Sequence, residues 1–176
     1  MSTETYLITE SCLEMRSRPD RAGMRVAPQG LDIRLIEEPT VALYRSVFTE
    51  VGRPWRWLNR MQLSDDELRS QLLSPGHRLY LPYMDGRWIG IVELSFGAFP
   101  EVELMYFGLA PGYIGRGIGS YLLDWLVALA WDEGAERLWL KTCTDDSSLA
   151  LRAYERVGFR VFERFDKAKT YDSERW

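Results

Sequence analysis

Histidine occurs once, at His77, so a histidine-rich metal cluster is excluded. Cysteine occurs twice, at Cys12 and Cys143, far apart and without CxxC spacing, which argues against a disulfide framework and against a zinc site. Both thiols are expected to be buried or inert, His77 to serve ordinary loop chemistry beside Pro75 and Gly76, and the compartment to be reducing and cytoplasmic. Long apolar runs are missing too. YLLDWLVALAW is interrupted by Asp124 and falls short of the roughly eighteen residues a membrane-spanning helix needs, and no early segment reads as a leader, so no membrane association is expected. Nor is there a block of positive charge. The net charge is -4 and basic residues alternate with acidic ones, as in RMQLSDDELRS, which argues against a nucleic-acid partner and mildly favours small cationic ones.

What remains is a chain of 176 residues, 46% hydrophobic and 27% charged, the size and balance of one domain with a substantial core. Residues 1–30 read as an extension packed on that domain: a strand, YLITESCLEM, then an exposed crossing rich in arginine, proline and glycine. Within 31–176, LDIRLIEE alternates as a strand, and PTVALYRSVFTEVG places Leu43, Val47 and Val51 at helical spacing. LSDDELRSQLL carries Ser64 three residues before Glu67, a capping-box pattern. HRLYLPYM, RWIGIVELSF and EVELMYFGLA predict an antiparallel meander. GIGSYLLDWLVALAWDEG is a helix closed by Gly134, RLWLKTC a strand, DSSLALRAYERVG a helix closed by Gly158, and FRVFERF a strand. The order implies an α/β fold with a mixed sheet and helices on both faces.

Between strand and helix lies LAPGYIGRGIGS. A tight turn into a helix leaves the first helical N–H groups unpaired, and glycines let a ligand approach them without meeting a Cβ, so the turn suits a phosphate or pyrophosphate. The alternative is that Gly112 to Gly119 serve only close packing. Gly115, Gly117 and Gly119 give GxGxG, neither the GxGxxG of a dinucleotide site nor the GK[ST] of a Walker loop.

Here the sequence resembles the GCN5-related N-acetyltransferase superfamily. Its pattern Gln/Arg-x-x-Gly-x-Gly/Ala corresponds to IGRGIG, with Ile114 at the polar first position and Gly117 and Gly119 matching; Arg116 stands nearby to supply positive charge. Its second region, Asn-x-x-Ala-x-x-x-Tyr-x-x-x-Gly-Phe, is matched at Ala150, Tyr154, Gly158 and Phe159, with Ser147 where asparagine is common. Element order from about Arg78 to Phe165 is also similar.

The resemblance implies a mixed, mainly antiparallel central sheet flanked by helices, acetyl-CoA as acyl donor, and direct transfer to a small-molecule or peptide amine. The coenzyme would lie between the strand ending near Leu109 and RLWLKTC, against Leu109, Gly115, Arg116, Gly117, Ile118, Gly119, Ser120 and Ser147. A backbone N–H between Phe107 and Leu109 would polarise the thioester carbonyl. Tyr154 would donate a proton to the departing thiolate, the alternative being a ring packed on the sheet. Glu103 is the candidate base, with Glu93 second and a merely solvated carboxylate the alternative. Asp145 and Asp146 are expected to cap the following helix, and Trp55 and Trp57 to pack on the core or border the acceptor. A non-catalytic acyl-CoA-binding module, a longer acyl donor and a homodimer stay open.

Overall fold

In a computed structural model, residues 3–20 and 22–173 are described. Eight strands form one sheet: β1 (Thr3–Met15), β2 (Asp32–Leu35), β3 (His77–Met84), β4 (Arg87–Trp88), β5 (Gly90–Ala98), β6 (Glu101–Leu109), β7 (Arg137–Cys143) and β8 (Arg160–Asp172). The order across the sheet is β2-β3-β5-β6-β7-β1-β8, with β4 hydrogen-bonded to β3. Every pair is antiparallel except β6 with β7. The fold is therefore the mixed, mainly antiparallel sheet expected. No helix among the described residues is long and apolar enough to cross a membrane.

Four helices cover the sheet: α1 (Val41–Gly52) and α2 (Asp65–Leu72) on one face, α3 (Ile118–Asp132) and α4 (Ala150–Val157) on the other. Thr40 caps α1 by accepting the Leu43 N–H, and Ser64 and Glu67 close the capping box of α2. Period-two alternation then divides the strands. Leu79, Leu81 and Ile91 face α1 with Tyr44, Val47 and Phe48, while Tyr80, Val92, Leu94, Leu138 and Leu140 face α3 with Leu123, Leu126 and Val127. Gly108 sets the α1 spacing, since a Cβ there would stand 2.6 Å from Cγ1 of Val51.

Residues 3–15 form an interior strand, seated between β7 and β8, and the exposed crossing follows it. The last strand also runs further than FRVFERF, through Asp172. Its outer residues are mostly exposed and charged, so backbone pairing with β1 rather than apolar burial holds it, and that leaves little trace in hydropathy.

His77 is not loop chemistry. It opens β3, and its side chain is 4% exposed with Nε2 2.9 Å from Oε1 of Glu93. Glu93, fully buried on the α1 face of β5, also accepts from Tyr44 Oη at 2.6 Å and Arg60 Nη2 at 2.5 Å. Burial pushes the Glu93 pKa up, but His77, Arg60 and Tyr44 outweigh it and hold the carboxyl below its ordinary 4.5. This cluster joins α1, the segment before α2, β3 and β5.

Glu93→Ala would strand Arg60 uncompensated, and equilibrium unfolding in urea is expected to show a loss of about 3–5 kcal/mol; a loss below about 1 kcal/mol would contradict a structural role for the cluster. Because the folded pKa lies below the unfolded one, the Glu93 contribution is present at neutral pH and disappears as pH falls below 4.5, which an acid titration of stability measures.

Candidate active site

The parallel pairing of β6 with β7 covers four rungs, Glu101↔Arg137 to Leu104↔Leu140, and stops. At that level β6 bulges. Leu94 pairs with Leu104 and Glu93 with Tyr106, leaving Met105 as the extra residue. Beyond the bulge the strands part, and Met105–Leu109 and Lys141–Cys143 become walls of a cleft of about 810 Å3. The bulge also reverses facing. Val102 and Leu104 point towards α3 before it, and Phe107 and Leu109 do so after it, whereas strict alternation would have placed Phe107 and Leu109 with Glu103.

One end of the cleft is the turn into α3. Gly115 (φ 82°) and Gly117 (φ 80°) adopt left-handed conformations that an L side chain rarely takes, and a Cβ on either would project into open space. Gly117 is the α3 N-cap, with no side-chain cap and no acid in the first turn, so the leading N–H groups face the cleft beside Gly119 and Ser120. The turn thus leaves open space beside N–H groups that carry no side-chain cap. Two of the expected contact residues do not line the cleft with their side chains. Ile118 is 1% exposed and packs with Leu109 and Leu122, leaving only its backbone for a ligand, and the exposed Arg116 lies over the Tyr113 ring at 5.2 Å, off the cleft wall. Arg152 and Arg156, one turn apart on α4, line the cleft instead.

Tyr154 stands midway. It is 8% exposed, with its ring edge-on to Phe107 at 6.4 Å and Phe159 at 6.0 Å, and it lines the cleft. Burial and then the Asp146 charge drive its pKa far above 10, so the phenol is protonated at neutral pH. Its ring packing and its place on the cleft are therefore compatible. Ser147 also lines the cleft, with Oγ accepting the Leu149 N–H at 3.3 Å.

Asp145 and Asp146 do not cap α4, whose N-cap is Leu149. Asp146 accepts from Trp57 Nε1 (2.9 Å), Thr142 Oγ1 (2.6 Å) and the Cys143 N–H (3.0 Å), tying the loop after α1 to the end of β7. Asp145 accepts from Tyr6 Oη and Lys169 Nζ, both at 2.6 Å. The intervening Ser147 turn is too long for either carboxylate to serve as the cap. Both cysteines are free; Cys12 is buried, whereas Cys143 lines the cleft, its thiol pKa raised mainly by burial.

Glu103 lines the other end. It is half-buried, and desolvation raises its pKa above 4.5 against the opposing charges of Lys141 and Arg60. Glu93 is corrected as a base candidate, being fully buried in the ion cluster and off the cleft. Glu101 is bound by Arg137 at 2.8 Å. Trp55 and Trp57 border this end, and Trp57 also packs on Phe48 and Tyr106, so it belongs to wall and core together. Sequence reasoning missed Ile8 and Glu10 of β1 and Lys167 and Lys169 of β8. The two lysines share period-two spacing, the one available signal, but nothing local shows which strand lies beside them.

With six basic side chains on its walls against three acidic ones, the cleft is opposite in sign to the chain. Over 99 residues the chain is 33% identical to an uncharacterized N-acetyltransferase of Mycobacterium tuberculosis, a match covering 56% of the chain and 63% of that relative. It is 34% identical over 76 residues to the streptothricin acetyltransferase of Streptomyces lavendulae, covering 43% of the chain and 40% of that protein. The fold is shared with a GCN5-related N-acetyltransferase from Sphaerobacter thermophilus at a TM-score of 0.67 and 18% identity, over 93% of this chain and 52% of that one. The acetyltransferase (GNAT) family profile matches residues 42–159, more than half of the chain, and the chain belongs to that family.

Proposed function

We propose that this protein transfers the acetyl group of acetyl-CoA directly to the nitrogen of an amine. The observation that carries the reading is the continuous cleft from the uncapped start of α3, past Tyr154, to Glu103. The residues fit the donor: the Gly115–Gly117 turn leaves room for a pyrophosphate, and Arg152 and Arg156 add positive charge to the same cleft. Bound there, acetyl-CoA would supply a thioester carbonyl open to attack. The backbone of β6 beyond Leu104 has lost β7 as its pairing partner, so its groups up to Leu109 are available to hold the pantetheine arm and polarise that carbonyl.

Glu103 takes the proton the amine gives up as the N–C bond forms. Tyr154 delivers a proton to sulfur as the C–S bond breaks. A phenol with a raised pKa remains a competent donor because the same burial that disfavours phenolate disfavours thiolate. The elevated Glu103 pKa makes it a stronger base than an exposed carboxylate.

Tyr154→Phe is expected to lower kcat about 100-fold or more while acetyl-CoA affinity, read by calorimetry, is retained; unchanged turnover under chemistry-limited conditions would remove Tyr154 from the donor role. Glu103→Gln should abolish the limb of the kcat/KM profile that rises with pH above 4.5, leaving only the titration of the acceptor amine. Gly117→Val places a branched side chain at φ 80° in the anion cradle and should weaken acetyl-CoA binding about tenfold or more, with the circular dichroism of the fold preserved. Acetyl-CoA binding without acetyl transfer to any amine would favour a non-catalytic module.

A further inference from the structure

The charged groups on one face of the sheet nearly all answer one another. Val102, Leu104, Leu138 and Leu140 point under α3, so Glu101, Glu103, Met105, Arg137, Trp139 and Lys141 stand on the opposite face of β6 and β7. On and around this face Arg137 holds Glu14 and Glu101, Lys167 holds Glu10, Lys169 holds Asp145, Arg56 holds Glu4, and Arg60 holds Glu93. Among the described residues that line the cleft on this face, Lys141 has no ion-pair partner, its ammonium lying 5.7 Å from the Trp139 ring, and Glu103 is the carboxylate with neither an ion pair nor a hydrogen bond, Asp146 being held by Trp57, Thr142 and Cys143.

These two are neighbours. Glu103 pairs in register with Trp139, and Lys141 lies two residues further along β7 on the same side. With strands about 4.8 Å apart and about 3.3 Å of rise per residue, their Cβ atoms stand on the order of 8 Å apart. Lys141 exerts the largest charge effect on Glu103, yet the side chains form no ion pair. An unpaired base beside an unpaired ammonium, separated by a gap in a cleft, is complementary to a small molecule carrying an amine and an anion close together.

Resting on the acetyltransferase reading above, we infer that the acceptor is an amine bearing a nearby carboxylate, of the α-amino-acid kind, with Lys141 holding the carboxylate while the amine faces Glu103. Lys141 is a specificity-determining residue, on β7 rather than on the glycine turn before α3 or on α4. It binds the acceptor's carboxylate by a charge-assisted hydrogen bond and thereby turns the amine towards the reacting carbon.

The test compares free amino acids with their α-amides and with the corresponding decarboxylated amines, using kcat/KM per unprotonated amine because the amides deprotonate more easily. The wild-type protein is expected to favour the acids about tenfold or more. Lys141→Met should collapse that ratio, and Lys141→Glu should reverse it towards amines carrying a second positive charge, each with acetyl-CoA affinity retained in calorimetry as proof of a folded coenzyme site. Equal or better use of the amides by the wild type, or a ratio that survives Lys141→Met, overturns the inference while leaving acetyl transfer standing. Binding of acetyl-CoA with no transfer to any of these amines counts against both readings.

Discussion

Everything functional in this molecule follows from a sheet that opens between β6 and β7. Parallel pairing holds for four rungs and is then interrupted by the bulge at Met105, which bends β6 and frees the edges of both strands. Unsatisfied backbone groups inside a protein are costly, so such a gap persists only if something else satisfies them. A coenzyme arm threaded along β6 would do so. The opening also joins the two sides of the sheet, since Glu103 stands on the α1 face and Tyr154 on the α3 face, and the parted strands bring both into one cleft.

Rigidity around the opening comes from polar groups buried on the α1 side. Glu93 sits opposite Tyr106 at the bulge, and its contacts to Tyr44, Arg60 and His77 bind β5 to the helical layer next to the place where β6 departs from regular pairing. A buried carboxylate is tolerable only with such full pairing, whereas Glu103, half-buried on the cleft, has no ion-pair partner. Asp146 acts similarly across the cleft, holding Trp57 against the end of β7. The same acid adds to the elevation of the Tyr154 pKa, so one side chain braces the wall and helps keep the phenol protonated.

The charge of the cleft differs from that of the chain. The net charge is -4, yet folding gathers Arg56, Lys141, Arg152, Arg156, Lys167 and Lys169 around the cleft from four separate segments. Acids such as Asp32, Asp65 and Asp66 lie on outer surfaces away from it. A cleft of this sign suits an anionic ligand.

The amino-acid sequence by itself determined the parts whose physics is local. Gly115 and Gly117 can take positive φ where other residues resist it, Ser64 and Glu67 cap a helix three residues apart, and the spacing from Ser147 to Phe159 places Tyr154 on the face of a short helix ended by Gly158. Only the tertiary structure decided what depends on register between distant strands. Whether Phe107 and Leu109 face α3 or the opposite side with Glu103 turned on a one-residue bulge that hydropathy cannot show. The seating of β1 between β7 and β8, which brings Glu10, Lys167 and Lys169 to the site, rests on backbone hydrogen bonds formed across more than a hundred residues of chain. Backbone groups are the same in every residue, so such pairing writes almost nothing into the side-chain pattern.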